Sequence, residues 1–154
     1  MCNPVTINPR ILDALYCEAL ALSDEVRAAF TLSGQFKRAA ADEDLSRVAL
    51  SSEGLRTTTR MMHAIAWLLN HRAYFMGEIS EFQLRRHSRL SPEMSRVDSG
   101  QVALLDPKIG TLVETTRRFY QRLLRLDQNW RLKNPAASSP IENLRQRIEE
   151  RLAG

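Results

Sequence analysis

The sequence predicts an all-α protein: an antiparallel three-helix bundle followed by a flexible or loosely docked helical segment at the C-terminal end. Three observations predict it. Apolar residues recur at three- and four-residue spacing through three long stretches, which is the period of a helix with a buried stripe. Only six Gly and six Pro are present, too few for the turns of a sheet protein. The 154 residues suffice for one domain with a real core and are short for two. The expected organisation is a bundle over residues 1–134 and a linker with an amphipathic tail over 135–154.

The first helix opens at Asn8-Pro9. Asn8 can cap free N–H groups, and Pro9 at the first helical position loses nothing by lacking its own. Leu12, Leu15, Ala19, Leu22, Val26 and Phe30 form one narrow stripe, and Ser33-Gly34 is the expected end. Residues 35–43 read as a connector, either loop or frayed helical turn. The second helix starts at Asp42 or Asp44 and runs without a proline to about Ile79. It should reach about 50 Å, against about 35 Å for the first.

This second helix is the unusual element. At 100° per residue, Leu55, Thr58, Met62, Ile65, Ala66, Leu69, Ala73 and Met76 share one face, with Met61, Leu68, Phe75 and Ile79 widening it. This arc is the expected core face. It is wide enough, on a long enough helix, to suggest a second copy of the chain as a further partner. Arg72 falls inside the arc, where it can snorkel or pair with an acid on another helix. The opposite strip carries Arg56, Arg60, His63, Trp67, Asn70, His71, Tyr74 and Glu78.

Residues 80–105 are less regular. Residues 81–87 suit a short helix, and Ser91-Pro92 and Asp98-Ser99-Gly100 are turn signals. Leu104 and Leu105 should tuck against the bundle end. Asp106-Pro107 opens the third helix, where Ile109, Leu112, Thr116, Phe119, Leu123, Leu126 and Trp130 make the cleanest stripe in the chain. Asn134-Pro135 closes it. After a linker-like AASSP, the segment with Ile141, Leu144, Ile148 and Leu152 in line is too short to hold a helix alone in water. It can be a docked fourth helix, a disordered end, or a ligand that orders in a partner's groove.

Few kinds of chemistry find support. Neither a Rossmann nor a P-loop glycine pattern is present. His63, His71 and His87 form no i, i+4 pair with another ligand type, and Glu78 with Glu81 lacks the accompanying His, so no metal and no cofactor are expected. Cys17 reads as a half-buried structural thiol, and the two cysteines suggest a reducing cytoplasm. MCNPVTINPR has neither an apolar run nor a basic opening, so no leader is expected, and no stretch has the length for a membrane span. The net charge is +4 with a pI near 9.5. Arginines at 85–89 and 117–131 offer a nucleic-acid-associated regulator as the alternative reading, but interspersed acids argue for a solvated face. The strip of Arg60, His63, Trp67, His71 and Tyr74 has two readings. It can pack on a neighbouring helix of the same chain, or it can dock a partner, since aromatics and Arg concentrate at interface hot spots.

Three blocks carry a resemblance: ILDALYCEALALSDEVRAAF, TTTRMMHAIAWLLNHRAYFMGEIS and LLDPKIGTLVETTRRFYQRLLRLD. The most specific part is T-x-R-M-M…W-L-L-x-x-R-A…G-E, from Thr58 to Glu78. The chain resembles the RcdA family, regulators of CtrA degradation in alphaproteobacteria. The resemblance implies a homodimeric three-helix bundle with a C-terminal tail. It implies a non-enzymatic adaptor of the ClpX/ClpP protease in cell-cycle control, which joins a ClpX primed by a response-regulator-type adaptor and presents protein substrates. The family supplies no catalytic residues to carry over. The interaction residues expected from the sequence are Arg60, His63, Trp67, His71 and Tyr74, with Ile141, Leu144, Ile148 and Leu152 on the tail.

Overall fold

The computed structural model describes residues 6–39, 44–133 and 140–153. Among the described residues, six α-helices follow in order: α1 (Pro9–Ala39), α2 (Asp44–Phe75), α3 (Glu81–His87), α4 (Ser99–Val102), α5 (Pro107–Lys133) and α6 (Pro140–Leu152). A 3-10 turn, Pro92–Ser95, lies between α3 and α4. The fold is all-α, and no strand occurs among the described residues.

α1 starts as the sequence predicts, with the Asn8 side chain accepting from the Arg10 N–H at 2.9 Å. It does not stop at Gly34 but continues to Ala39. A single Gly costs a helix only about 1 kcal/mol, and the favourable formers Gln35, Lys37, Arg38 and Ala39 follow it. Residues 35–39 of the expected connector are thus helical, and 40–43 lie outside the described residues. α1 and α2 have 31 and 32 residues, so α2 does not outreach its neighbour. The end of α2 comes earlier than expected. Gly77 takes φ 78°, the Gly77 N–H reaches back to Tyr74 O, and the Glu78 N–H reaches Ala73 O. These two bonds form a Schellman closure, which needs the left-handed residue that Gly supplies.

α1 and α2 run antiparallel. Arg72, near the end of α2, lies 5.9 Å from the Tyr16 ring near the start of α1. At the other end, Phe30 packs so closely on Gly54 that a Cβ there would meet the ring at 3.0 Å. α5 runs antiparallel to α1 but parallel to α2. Arg60 meets Thr116 and Trp67 meets Asp127, while His71 meets Trp130, so both numbers rise together. The expected antiparallel arrangement therefore holds for α1 against its two neighbours and not for α2 against α5. The 76–106 connection does not simply reverse the chain. It returns it to the starting end of α2.

That return is built rather than loose. Ser80 caps α3 in a reciprocal box with Gln83, and Ser91 and Asp98 cap the 3-10 turn and α4. Leu84 and Leu90 are buried beneath it, as is Leu105, while Leu104 stays largely exposed. The main core joins Leu12, Leu15, Ala19 and Leu22 of α1, Met61, Ala64, Trp67 and Leu68 of α2, and Phe119, Tyr120 and Leu123 of α5. A smaller core at the other end joins Ala49, Leu50, Leu105, Ile109 and Val113. The stripes predicted for α1 and α5 are the ones that face these cores.

Candidate interaction surface

The two faces of α2 are largely exchanged relative to the sequence expectation. Arg60, Trp67 and His71 are only 0%, 1% and 2% exposed, whereas Leu55, Met62 and Met76 are 72%, 65% and 62% exposed. The strip expected to dock a partner is the inner face. Most of the arc expected to be core looks outward, while its Met61 and Leu68 are buried and Ile65 packs against the core. Of the predicted strip, only His63 is exposed, and Tyr74 is half-buried.

The inner strip does bind something, namely the chain's own return connection and α5. Arg60 donates from Nε to Met94 O at 2.6 Å, from Nη2 to Arg96 O at 3.2 Å and from Nη1 to Thr116 Oγ1 at 2.8 Å. One guanidinium fork so satisfies two carbonyls of the connection and ties them to α5. Tyr120 reinforces the tie by donating to Ser91 O at 2.8 Å. Burial pushes the Arg60 pKa below its usual value, opposed by the negative charge of Glu53. Burial likewise pushes Glu53 above the usual carboxylate range, opposed by Arg56 and Arg60.

At the far end, the Trp67 Nε1–H donates to Asp127 Oδ1 at 3.1 Å, and Arg131 closes on the other carboxylate oxygen at 3.0 Å. The His71 ring sits 4.2 Å from Trp67 and meets Trp130 edge-on at 5.2 Å. Burial first, and the Arg131 charge second, hold His71 at about pKa 4. It is therefore neutral at physiological pH. This interior is a set of structural ties between α2, α5 and the connection.

The outward face is apolar along its whole length. Leu45, Val48, Leu55, Met62, Leu69 and Met76 are all exposed. Both faces of α2 are thus rich in apolar residues, and a wide arc alone cannot say which points inward. The missed signal is the spacing, for Val48, Leu55, Met62, Leu69 and Met76 repeat every seven residues. Arg72 is exposed at the edge of this face over Tyr16. Cys17, expected half-buried, is an exposed free thiol.

The tail residues form α6, with Ile141, Leu144, Ile148 and Leu152 all exposed. The linker at 134–139 lies outside the described residues. Many of the arginines considered for phosphate binding are balanced within the chain: Arg85 by Glu81, Arg117 and Arg118 by Glu114, Arg122 by Glu18 and Arg131 by Asp127. Among the described residues, no group of three or more His, Cys, Asp or Glu is placed to hold a metal ion. No helix among them is long and apolar enough to cross a membrane.

A family model described as "Protein of unknown function (DUF1465)" matches residues 4–152. No curated protein and no solved structure matches the chain.

Proposed function

From the premise that the chain belongs to the DUF1465 family, we propose that it is a non-enzymatic, homodimeric, cytoplasmic adaptor of ClpXP-dependent proteolysis in cell-cycle control. In this reading it joins a ClpX primed by a response-regulator-type adaptor and presents protein substrates. The observation that carries the reading is the apolar surface left over once the bundle core is filled. One stripe runs the length of α2 and another lines α6, and exposed apolar stretches of this extent mark protein contacts. The resemblance of Thr58–Glu78 and its flanking blocks to the RcdA family supplies the kind of partner. The thin stripe of Ile141, Leu144, Ile148 and Leu152 suits an amphipathic helix laid into a partner's groove.

The test is a reconstituted degradation assay with primed ClpXP, with and without the full chain. Turnover of at least one substrate should rise several-fold when the protein is added. Turnover that stays unchanged across the substrates of that protease overturns the reading. Leu144→Glu/Ile148→Glu should abolish the stimulation while leaving bundle helicity intact.

A further inference from the structure

The outward stripe of α2 has an internal order that bears on what covers it. Two series run along it at seven-residue spacing. One is Val48, Leu55, Met62, Leu69, Met76; the other is Leu45, Ser52, Thr59, Ala66, Ala73. Together they alternate by three and four residues, which is the seam of a two-stranded coiled coil. No charged residue occupies any of these positions. The first series is uniformly large. The second is small except at Leu45.

We propose that this seam is where two copies of the chain meet, with their α2 helices antiparallel about a twofold axis between Arg60 and Met61. The inference rests on the dimer proposed above and gives it an interface, a direction and a register. Residue volumes select the direction. In a parallel pair each series faces itself, so layers of two large side chains alternate with layers of two small ones. Such packing leaves voids in one layer and crowding in the next, and both are costly. In an antiparallel pair each series faces the other. Val48 then meets Ala73, Leu55 meets Ala66, Met62 meets Thr59 and Leu69 meets Ser52. Only the outermost layer, Met76 on Leu45, pairs two large residues, at the ends where the helices can splay. This register also uses the entire stripe, because its centre coincides with the twofold axis. A self-complementary patch of this kind closes on one partner rather than propagating.

The area is sufficient. The six large side chains of the seam expose on the order of 600 Å² per protomer, and their flanks add more, against about 800 Å² per partner in a standard stable interface. The buried face of α2 is already occupied by α1, α5 and the connection, so a second copy adds to the bundle without disturbing it.

The experiment uses the full chain with Cys2→Ser and Cys17→Ser as background. Ser52→Cys and Leu69→Cys chains are made separately and oxidised alone and mixed. The mixture should give a disulfide-linked heterodimer in high yield. Each alone should give little, because its two thiols would stand about 25 Å apart along the antiparallel axis. Efficient linkage of Ser52→Cys to itself overturns the direction. Light scattering separates this inference from the adaptor reading. A wild-type monomer at tens of micromolar, or a dimer whose mass Leu55→Glu/Met62→Glu leaves unchanged, overturns the seam whatever the degradation assay gives. A monomer in which a thiol at position 52 links to one at 148 of the same chain gives the seam to α6 instead. A seam dimer that leaves ClpXP turnover unaltered upholds the interface and removes the adaptor reading.

Discussion

α5 and α2 have comparable lengths and lie side by side, yet they distribute their residues differently. α5 buries one stripe, Ile109, Val113, Thr116, Phe119, Tyr120, Leu123, Asp127 and Trp130, and gives its other side to charge. α2 is apolar on two sides. Its inner side carries Arg60, Trp67 and His71 among Met61, Ala64 and Leu68, and its outer side carries bare Leu and Met. A helix with one apolar stripe declares its inside, but a helix with two does not. In α2 the chain places its more polar face inward, because that face must hold the return connection. Exposed carbonyls of a crossing segment need donors, which an all-apolar face cannot give.

This contrast can be broken most forcefully at Arg60. Arg60→Ala leaves Met94 O and Arg96 O without their donor, and leaves buried Glu53 with Arg56 as its remaining cationic neighbour. It should cost about 3–5 kcal/mol in urea unfolding, the range for breaking a buried charged contact. A cost under about 1 kcal/mol would mean that the connection is not held there.

Next in size is the pH response of His71. Its folded pKa of about 4 lies below the ordinary 6.5, so the unfolded chain binds more protons between these values. Its contribution is therefore complete above about pH 6.5 and is lost as pH falls towards 4, by on the order of 2–3 kcal/mol. Stability measured against pH should be flatter across that window in His71→Leu than in the wild type. Parallel curves would place His71 in solvent. Asp127→Asn keeps an acceptor for Trp67 but weakens the Arg131 contact, and should cost about 1 kcal/mol. Smallest of all, Met62→Ser, compared in a Leu55→Glu background that removes the seam, should change the folding stability by under about 0.5 kcal/mol. A cost near that of a core methionine would return the outer stripe to the interior.

Much of the fold was legible in the sequence. The stripes of α1 and α5, the α3 boundaries, the Asn8 and Asp98 signals and the all-α class follow from periodicity and capping, which are local properties. Three features were not local. Continuation through Gly34 depends on the propensity of the residues beyond it. The parallel course of α2 and α5 depends on where a thirty-residue connection goes. The facing of α2 depends on partners distant in sequence, since Arg60 looks like a surface residue until Met94 and Arg96 fold over it. Of the two readings open for the strip, Arg60, Trp67 and His71 follow the first: they pack within the chain, against α5 and the connection. The seven-residue repeat on the opposite side was present in the sequence, hidden because the same residues also serve as a plausible core arc.

The central claim is that α2 keeps its polar strip inside and its apolar seam outside. Circular dichroism and light scattering on Leu55→Glu/Met62→Glu at matched concentration test it most directly. Native helicity, cooperative unfolding and half the wild-type mass are expected. Loss of helicity and of cooperative unfolding would contradict it, because glutamates on an outward seam leave the bundle core of α1, α2 and α5 packed.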